Sequence, residues 1–597
     1  MERLEIRETW EIDSLYPGGL DSSQLADHIR EARESLAACE GVIASETTLA
    51  VASLTGLIRQ IHRIGLLLMN VGSFLDLLLL ADVRNERAQA LNAQVQELNA
   101  RHGALLDRLD ERLLRLGEHG WQALAEALWQ EGSTAGLVSA LTLRRQRAAE
   151  MLPGEQEAVI KSLAIDGHLG WSEIYHAVNG RTTVTYEYGG KTESIPLAAI
   201  DRILFNSPDQ GLRETVFRAQ IKVREPELPV LAPALNHMVG YRVAVYKLRG
   251  WDSVLKEPLM NHRMRQESVT AMFAAVDQNR GLLDQYLARK ARLLGDERLR
   301  GWDLRAPVTG EAPPWEYPAV AAKVVQYFGL FREDMGQFAR TAFAEGHIDT
   351  CESQGRQPGL SASSPFPLAR SHRIFMNHKT LPFVVAHELG HSYSFLHLAD
   401  APLMANWHPL SMVLMEIPST FAQLLLQKGL ANEQVEPAVR LQRVNDLASN
   451  AVMEMLARRA AYEFEKAICE ARWKGSLTAT EITALYSKVQ QEVWGEAVSD
   501  LNPYGWVNLL FSMANFPFYN FPYTAALLIS AGLYARWQEE GEAFASRFPE
   551  VVRDLGYLDV EEFGRRHLGV DLTEPEGWQK GIAVLLADLQ EFLRLTE

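Results

Sequence analysis

The stretch "FVVAHELGHSYSFLH", Phe383 to His397, combines an HExxH pattern with the composition of a buried α-helix. Thr380 is placed to cap the start of this helix. Residues four apart share one helix face, so His387 and His391 can reach the same metal ion. Two histidines and Glu388 in an otherwise apolar helix would be costly to bury unless they served a metal. The stretch therefore predicts a metal-binding helix.

A zinc site of this type needs a third protein ligand and an open position for water. Glu388 would then lie beside that water as the general base. Two residues compete for the third ligand position. His397 has the spacing of the HExxHxxGxxH pattern, and Glu416 follows in a later apolar segment.

The glycine of the longer histidine pattern is Ser394 in this chain. Without that glycine the helix has no reason to end, and His397 would lie about 240° around the helix from His391. Glu416 stands in the helical segment "SMVLMEIPSTFAQLLLQ", where an acid would be an expensive core charge unless it bound a metal. The residues favour Glu416 as the third ligand and leave His397 as the alternative.

Composition and charge narrow the class of protein. The chain of 597 residues has 76 acidic and 59 basic side chains and a net charge of −17, which argues against nucleic-acid or anionic-membrane partners. The N-terminus has no apolar signal segment, so we expect a cytoplasmic protein. The apolar run from Leu66 to Ala81 is interrupted by polar residues and predicts a buried helix. No disulfide framework or thiolate metal site is expected from the three widely spaced cysteines, Cys39, Cys351 and Cys469.

Helical spacing dominates the chain, with two β-rich exceptions. Residues 22–150 are rich in Leu, Ala, Glu, Gln and Arg at helical spacing. Arg181 to Pro196 predicts a β-hairpin around two glycines, and "SHRIFMNH" from Ser371 predicts a strand. We expect a helical N-terminal lobe over residues 1–200, with the hairpin near its end, and a catalytic lobe over 201–597 that contains the HExxH helix.

Several motifs resemble the oligoendopeptidase F family of zinc metallopeptidases, relatives of thimet oligopeptidase. That family pairs HExxH with a glutamate in an E-x-x-S-x-x motif, which "EIPSTF" from Glu416 fits. Further similar segments are "WEIDSLYPG", "LNHMVGYRVAVYKLRGWDS", "GWDLRAP", "GHIDT" and "PFYNFPYTAALLISAGLYA". The resemblance implies a mainly α, large two-lobed helical zincin with a deep central channel and a small β-sheet beside the active-site helix. It also implies internal cleavage of short peptides enclosed in that channel.

The resemblance also assigns roles to individual residues. His387, His391 and Glu416 correspond to the ligands of one Zn²⁺ ion, and Glu388 corresponds to the general base. Tyr519 and Tyr523 fall in the aromatic motif that would bind the scissile carbonyl oxygen. In the loop before the predicted strand, Gly359 resembles a family glycine that lets the backbone approach the peptide.

Two positions depart from the family pattern. Leu510 aligns where the family usually has a histidine, and Gln423 stands where a glutamate that supports the metal site is common. The predicted function is a zinc endopeptidase of short peptides, with no nucleic-acid or membrane partner. The alternatives are a divergent member dedicated to one peptide and a peptide-binding protein with reduced turnover.

Overall fold

Helices make up most of the chain in the computed structural model, which describes residues 4–45, 50–131, 136–310, 315–407 and 411–597. In chain order the helices are α1 (Ser23–Ser45), α2 (Val51–Ala81), α3 (Glu86–Arg115), α4 (Gly117–Gln130), α5 (Leu137–Ala148), α6 (Gly154–Ala164), α7 (Gly170–Arg181), α8 (Ile200–Asn206), α9 (Gln210–Arg224), α10 (Leu228–Leu248), α11 (Lys256–His262), α12 (Gln266–Gln278), α13 (Arg280–Leu293), α14 (Tyr317–Phe331), α15 (Glu333–Ala344), α16 (Pro382–His397), α17 (Met412–Ala431), α18 (Pro437–Val452), α19 (Arg458–Lys474), α20 (Ala479–Trp494), α21 (Leu510–Asn515), α22 (Phe521–Glu540), α23 (Glu542–Asp554), α24 (Val560–Phe563) and α25 (Glu576–Leu595). The predicted mainly α fold class is confirmed.

Seven short strands form three small sheets in the described residues. They are β1 (Thr183–Tyr188), β2 (Lys191–Pro196), β3 (Leu299–Arg300), β4 (Ile348–Asp349), β5 (Ala362–Phe366), β6 (Ser371–Phe375) and β7 (Val498–Ser499). Strands β1 and β2 form the predicted hairpin, whose turn glycines Gly189 and Gly190 have φ of 57° and 76°. In the order β4-β6-β5, β4 is parallel and β5 antiparallel to β6, and this sheet packs against α16.

The chain divides into two compact units, each assembled from three stretches of sequence. Unit 1 consists of the described residues within Met1–Gly154, Pro314–Leu426 and Trp537–Asp559. Unit 2 consists of those within Glu155–Pro313, Gln427–Arg536 and Val560–Glu597. The boundary between Leu426 and Gln427 falls within α17, and the boundary between Arg536 and Trp537 falls within α22.

The boundaries of these units differ from those of the predicted lobes. The division at residue 200 stays a prediction, but the HExxH helix α16 lies in the same unit as residues 1–154, and the hairpin lies in unit 2. The grouping depends on contacts between residues far apart in sequence, which local patterns do not report.

Unit 1 is built around α2, the helix that contains the apolar run from Leu66. By length and composition α2 could cross a membrane, yet 61% of its most apolar window is buried inside the protein. It packs against α1, α3 and α4. Packing inside unit 1 thus accounts for its hydrophobicity, as the prediction of a buried helix expected.

The segment that follows the HExxH helix is tied to the N-terminal helices. Trp407 is fully buried, and its indole Nε1 donates to His62 Nδ1 of α2 at 2.9 Å. Arg144 of α5 donates to the Trp407 carbonyl oxygen at 2.9 Å and is paired with Asp110. A side chain at Gly65 would meet the Ala405 carbonyl oxygen at 2.3 Å, so α2 and this segment are in close contact. The N-terminal helices therefore position the chain between α16 and α17.

Unit 2 has its own core and its own buried ion pairs. One apolar cluster joins the hairpin to α8, α9 and Trp302. Arg213 and Asp303 form a fully buried pair at 2.7 Å. Such pairs are costly to break, because the remaining charge stays buried without a partner.

One local detail of the sequence prediction is wrong. Helix α16 begins at Pro382 with Leu381 as its N-cap residue, and no side chain caps it. Proline fits the first turn because the missing N–H has no intrahelical partner there. Thr380 is therefore not the cap. The predicted strand at Ser371 is present as β6, and all three cysteines are free.

Candidate metal centre

Helix α16 presents two imidazoles on one face. The ring centroids of His387 and His391 lie 4.8 Å apart, as expected for residues one helical turn apart. Both rings are partly exposed, whereas Glu388 between them is buried, with 7% of its surface exposed. The helix thus places two possible metal ligands side by side.

Helix α17 brings a carboxylate to the same place. Glu416 Oε2 lies 3.3 Å from His387 Nε2 and 3.5 Å from His391 Nε2. The three possible ligand atoms all lie within 4.8 Å of one another. Two imidazole nitrogens and one carboxylate oxygen form the donor set typical of catalytic zinc sites with an open position. The residues therefore fit a zinc ion.

Close packing of α16 on α17 makes this arrangement possible. A side chain at Gly390 would meet Ser419 Cα at 2.6 Å, the Pro418 carbonyl oxygen at 2.7 Å and Ala422 Cβ at 2.8 Å. No real Cβ atom tolerates such contacts with backbone. Glycine at position 390 is therefore required for Glu416 to approach the histidines.

Charge complementarity inside the cluster changes the ionisation of its members. Burial of the Glu416 carboxyl opposes its ionisation, but the charge of His391 and hydrogen bonding with both histidines outweigh burial and bring its pKa well below its usual range. Burial likewise opposes protonation of His387, but hydrogen bonding to Glu416 and the carboxylate charge raise its pKa. The cluster is thus built for a carboxylate next to positive charge.

Two neighbours orient the possible ligands. Ser419 Oγ lies 3.1 Å from Glu416 Oε2 and 3.0 Å from the Glu416 carbonyl oxygen, so its proton can be donated to either, which gives the serine of the E-x-x-S pattern a physical role. The side chain of Gln423 is hydrogen-bonded to the His387 ring. An uncharged amide therefore supports this imidazole at the position where the family resemblance predicts a carboxylate.

Ser363 holds Glu388, a contact that no pattern in the sequence predicts. Its Oγ lies 2.7 Å from Glu388 Oε2 and 2.8 Å from the Glu388 carbonyl oxygen, so its single proton can be donated to either. Strand β5 supplies this serine. The segment "SASS" contains three serines, and only the placement of β5 against α16 selects the one that reaches Glu388.

The alternative ligand His397 lies outside the cluster. Helix α16 continues through Ser394, whose Oγ donates to the His391 carbonyl oxygen at 2.7 Å, and ends at His397. The His397 ring contacts that of Tyr393, with centroids 4.7 Å apart. Burial lowers the pKa of His397. As expected from Ser394 in place of the glycine, the helix continues to His397, and this histidine does not join the cluster of possible ligands.

The remaining predicted residues belong to other parts of the structure. Tyr519 and Tyr523 lie in unit 2, where their hydroxyl oxygens are 2.5 Å apart. Their role towards a substrate carbonyl stays a prediction. In unit 1, Gly359 has φ of 80° with open space where a side chain would lie, a conformation that favours glycine. Leu510 is fully buried.

The fold and the metal centre define a class of protein: mainly α-helical, with an HExxH helix and a glutamate supplied by a second helix. No family model matches the chain. It is 23% identical over 377 residues to an oligoendopeptidase F homolog of Lactococcus lactis subsp. lactis (strain IL1403), covering 60% of this chain and 62% of that relative. It is 20% identical over 593 residues to oligopeptidase PepF of Bacillus subtilis (strain 168), covering 96% of this chain and 85% of that one. Relatives of this name support the oligoendopeptidase F family that the sequence motifs resemble.

A solved structure agrees with this assignment at the level of the fold. The crystal structure of oligoendopeptidase-F from Enterococcus faecium has a TM-score of 0.68 and 18% identity to this chain, covering 96% of this chain and 97% of that one. The match to the first Lactococcus lactis relative, in contrast, spans less than two thirds of its length.

The geometry predicts which substitution removes the metal. Glu416→Ala deletes a ligand from a three-ligand set, so we expect zinc affinity to fall by more than about a hundredfold, while His397→Ala keeps parent affinity. Zinc content after dialysis against a buffered zinc series measures both, with circular dichroism as the check on folding. A zinc-free His397→Ala protein beside a zinc-loaded Glu416→Ala protein would restore His397 as the ligand.

Proposed function

We propose that the protein is a cytoplasmic endopeptidase that hydrolyses short peptides with one zinc ion per chain. The observation that carries the proposal is the placement of Glu388. This residue lies on α16 together with His387 and His391, two of the three clustered possible ligands, and its side chain is hydrogen-bonded to Ser363. Similarity to relatives named as oligopeptidases supports peptides as the substrate class. The restriction to short peptides comes from the resemblance to oligopeptidases, as does the predicted channel.

A zinc ion held by His387, His391 and Glu416 would supply Lewis acidity, polarising a water molecule and the peptide carbonyl. Glu388 accepts the proton of the attacking water and later delivers it to the leaving amine. The buried position of this carboxylate shields it from bulk solvent. Each of the two proton transfers uses the same oxygen atoms, so their orientation matters for both steps.

Ser363 fixes that orientation. A hydroxyl donating to a carboxylate at 2.7 Å is a charge-assisted hydrogen bond, which is stronger and more directional than a neutral one. The same serine can instead donate to the Glu388 carbonyl oxygen, so the hydroxyl has an alternative acceptor when Glu388 is protonated.

The developing oxyanion would be stabilised by Tyr519 or Tyr523. Their aromatic motif matches that of the family, and the two hydroxyls already share one hydrogen bond. Arg458 lies over the Tyr523 ring at 4.8 Å and donates to Asn520 Oδ1 at 3.0 Å. These contacts fix the tyrosines relative to α19.

Two departures from the family favour a member specialised for particular peptides. Gln423 gives the His387 ring a neutral partner, and Leu510 places an apolar side chain where a histidine donor is usual. Because Leu510 is fully buried, a histidine there would lose hydration without a partner. We therefore expect Leu510→His to destabilise the fold rather than restore a donor.

Glu388→Gln tests the proposed function directly. We expect this variant to keep about one zinc per chain and to lose hydrolysis of a mixed short-peptide library by roughly 10² to 10⁴-fold, since the base is not a ligand. Mass spectrometry of the products, with and without a chelator, measures it. Glu352→Gln, an exposed position in the same unit, is the matched control. Normal cleavage by Glu388→Gln, or parent cleavage in the presence of chelator, contradicts the proposal.

Ser363→Ala tests the orientation of the base. We expect kcat to fall about tenfold or more with little change in KM or zinc content, because a hydrogen bond to a charged group is lost. Ser363→Thr retains the hydroxyl and should recover most of kcat. The control is Ser364→Ala, whose hydroxyl has no hydrogen bond within the described ranges. Equal effects at positions 363 and 364 would remove Ser363 from the mechanism.

Tyr519→Phe and Tyr523→Phe test the oxyanion donor. Loss of such a donor typically lowers kcat by about 10² to 10³-fold with little effect on KM. Tyr504→Phe in the same unit is the control, since its hydroxyl makes no hydrogen bond in the described part of the chain. Steady-state kinetics on one peptide decide the matter. If neither tyrosine affects kcat, the aromatic motif does not contact the reacting carbonyl.

A further inference from the structure

Arg305 carries a positive charge that no carboxylate among the described residues contacts. The residue is half-buried in unit 2, and its guanidinium lies 5.3 Å from the centre of the exposed Phe205 ring. Among the described residues it makes neither a hydrogen bond nor an ion pair. A guanidinium has five N–H donors in a planar fork, so this side chain leaves its full donor set available.

A second arginine lies in the same neighbourhood. Arg458 acts electrostatically on Arg305, and it contacts both Glu454, at 3.1 Å, and the Tyr523 ring. Its Nη2 atom has no hydrogen-bond partner in the described residues. Two guanidinium groups close enough to affect each other repel, and a bound anion would relieve that repulsion.

The acidic groups nearby do not neutralise Arg305 by contact. Glu454 is bonded to Arg458, and Asp201 lies on an exposed part of α8, beyond ion-pair distance from Arg305. Burial lowers the pKa of Arg305 and Arg458 lowers it further, while Glu454 and Asp201 act in the opposite direction. The guanidinium is thus partly dehydrated without a direct counter-ion, a state that is costly unless a ligand completes it.

The backbone around Arg305 is held on both sides. The Leu304 carbonyl oxygen accepts hydrogen bonds from Lys290 Nζ at 3.0 Å and from Ser449 Oγ at 3.1 Å. The Ala306 N–H donates to the Asp303 carbonyl oxygen at 3.1 Å, and Asp303 is itself fixed by Arg213. Because the backbone is already held in place, less conformational entropy is lost when a ligand binds to Arg305.

We propose that Arg305, assisted by Arg458, binds a carboxylate group of the peptide substrate. This inference rests on the proposed peptidase function for the identity of the ligand. Arginine suits the role because its planar fork matches the two oxygens of a carboxylate, whereas a lysine offers a single point of charge. The carboxylate is either the C-terminus of the peptide or an acidic side chain.

Binding measurements on the zinc-loaded Glu388→Gln protein separate this inference from turnover. Three versions of one peptide are compared by calorimetry: a free C-terminal acid without acidic side chains, its C-terminal amide, and the amide with one internal glutamate. We expect the free acid to bind about ten- to a hundredfold more tightly than the amide if the C-terminus is the ligand. If an acidic side chain is the ligand, the glutamate peptide gains that factor instead.

Substitution at position 305 must then remove the preference. Arg305→Gln should lower the affinity for the carboxylate-bearing peptide to that for the amide, and should leave the affinity for the amide unchanged. Arg305→Lys should keep part of the preference for the carboxylate. Arg202→Gln, an exposed arginine on α8 with no ion pair in the described residues, is the matched control. Thermal unfolding of each variant checks the fold.

The inference is overturned by equal affinity for all three peptides, or by a carboxylate preference that survives Arg305→Gln. A lower unfolding temperature with an unchanged preference also overturns it, because Arg305 would then serve only the fold. A failure of the proposed function would give a different result: the parent protein would bind peptides with the carboxylate preference but would cleave none of them.

Discussion

The contact of α16 with α17 at Gly390 is the constraint on which the metal centre depends. The backbone of Pro418 and Ser419 occupies the space that any side chain at position 390 would need. This contact lies between His387 and His391 on one helix and next to Glu416 on the other. If α17 moved away by the width of a methyl group, the carboxylate would lose hydrogen-bond distance to both imidazoles. The electrostatic contacts of the site therefore depend on the close packing of the two helices.

Once the helices are in contact, electrostatics determine what can occupy the space between them. A carboxylate that is 6% exposed is stable as an anion only beside positive charge, and the two histidines supply it. A divalent cation can take over that role with stronger bonds and release the imidazoles to act as neutral ligands. The same residues thus fit both a folded cluster without metal and a bound divalent cation. The N-terminal helices contribute by fixing the segment around Trp407 that leads into α17.

Local patterns in the sequence predicted the parts of this site that local geometry controls. The spacing of His387 and His391 fixes their common face, Ser394 allows the helix to continue, and Glu416 is conspicuous as an acid in an apolar helix. The contact of Ser363 with Glu388 could not be predicted, because it depends on how β5 packs against α16. The choice of Leu381 rather than Thr380 as the N-cap residue reflects the course of the preceding loop. The two interleaved units likewise depend on contacts between distant stretches.

The two kinds of contact proposed for a peptide have different kinetic consequences. As the proposed base, Glu388 oriented by Ser363 would act on a proton that moves only as the transition state forms, so its contribution would appear in kcat. Arg305 would hold a carboxylate that keeps the same charge before and during the reaction. Such uniform binding lowers KM and leaves kcat unchanged. The rate of the chemical step and the choice of peptide can therefore vary independently.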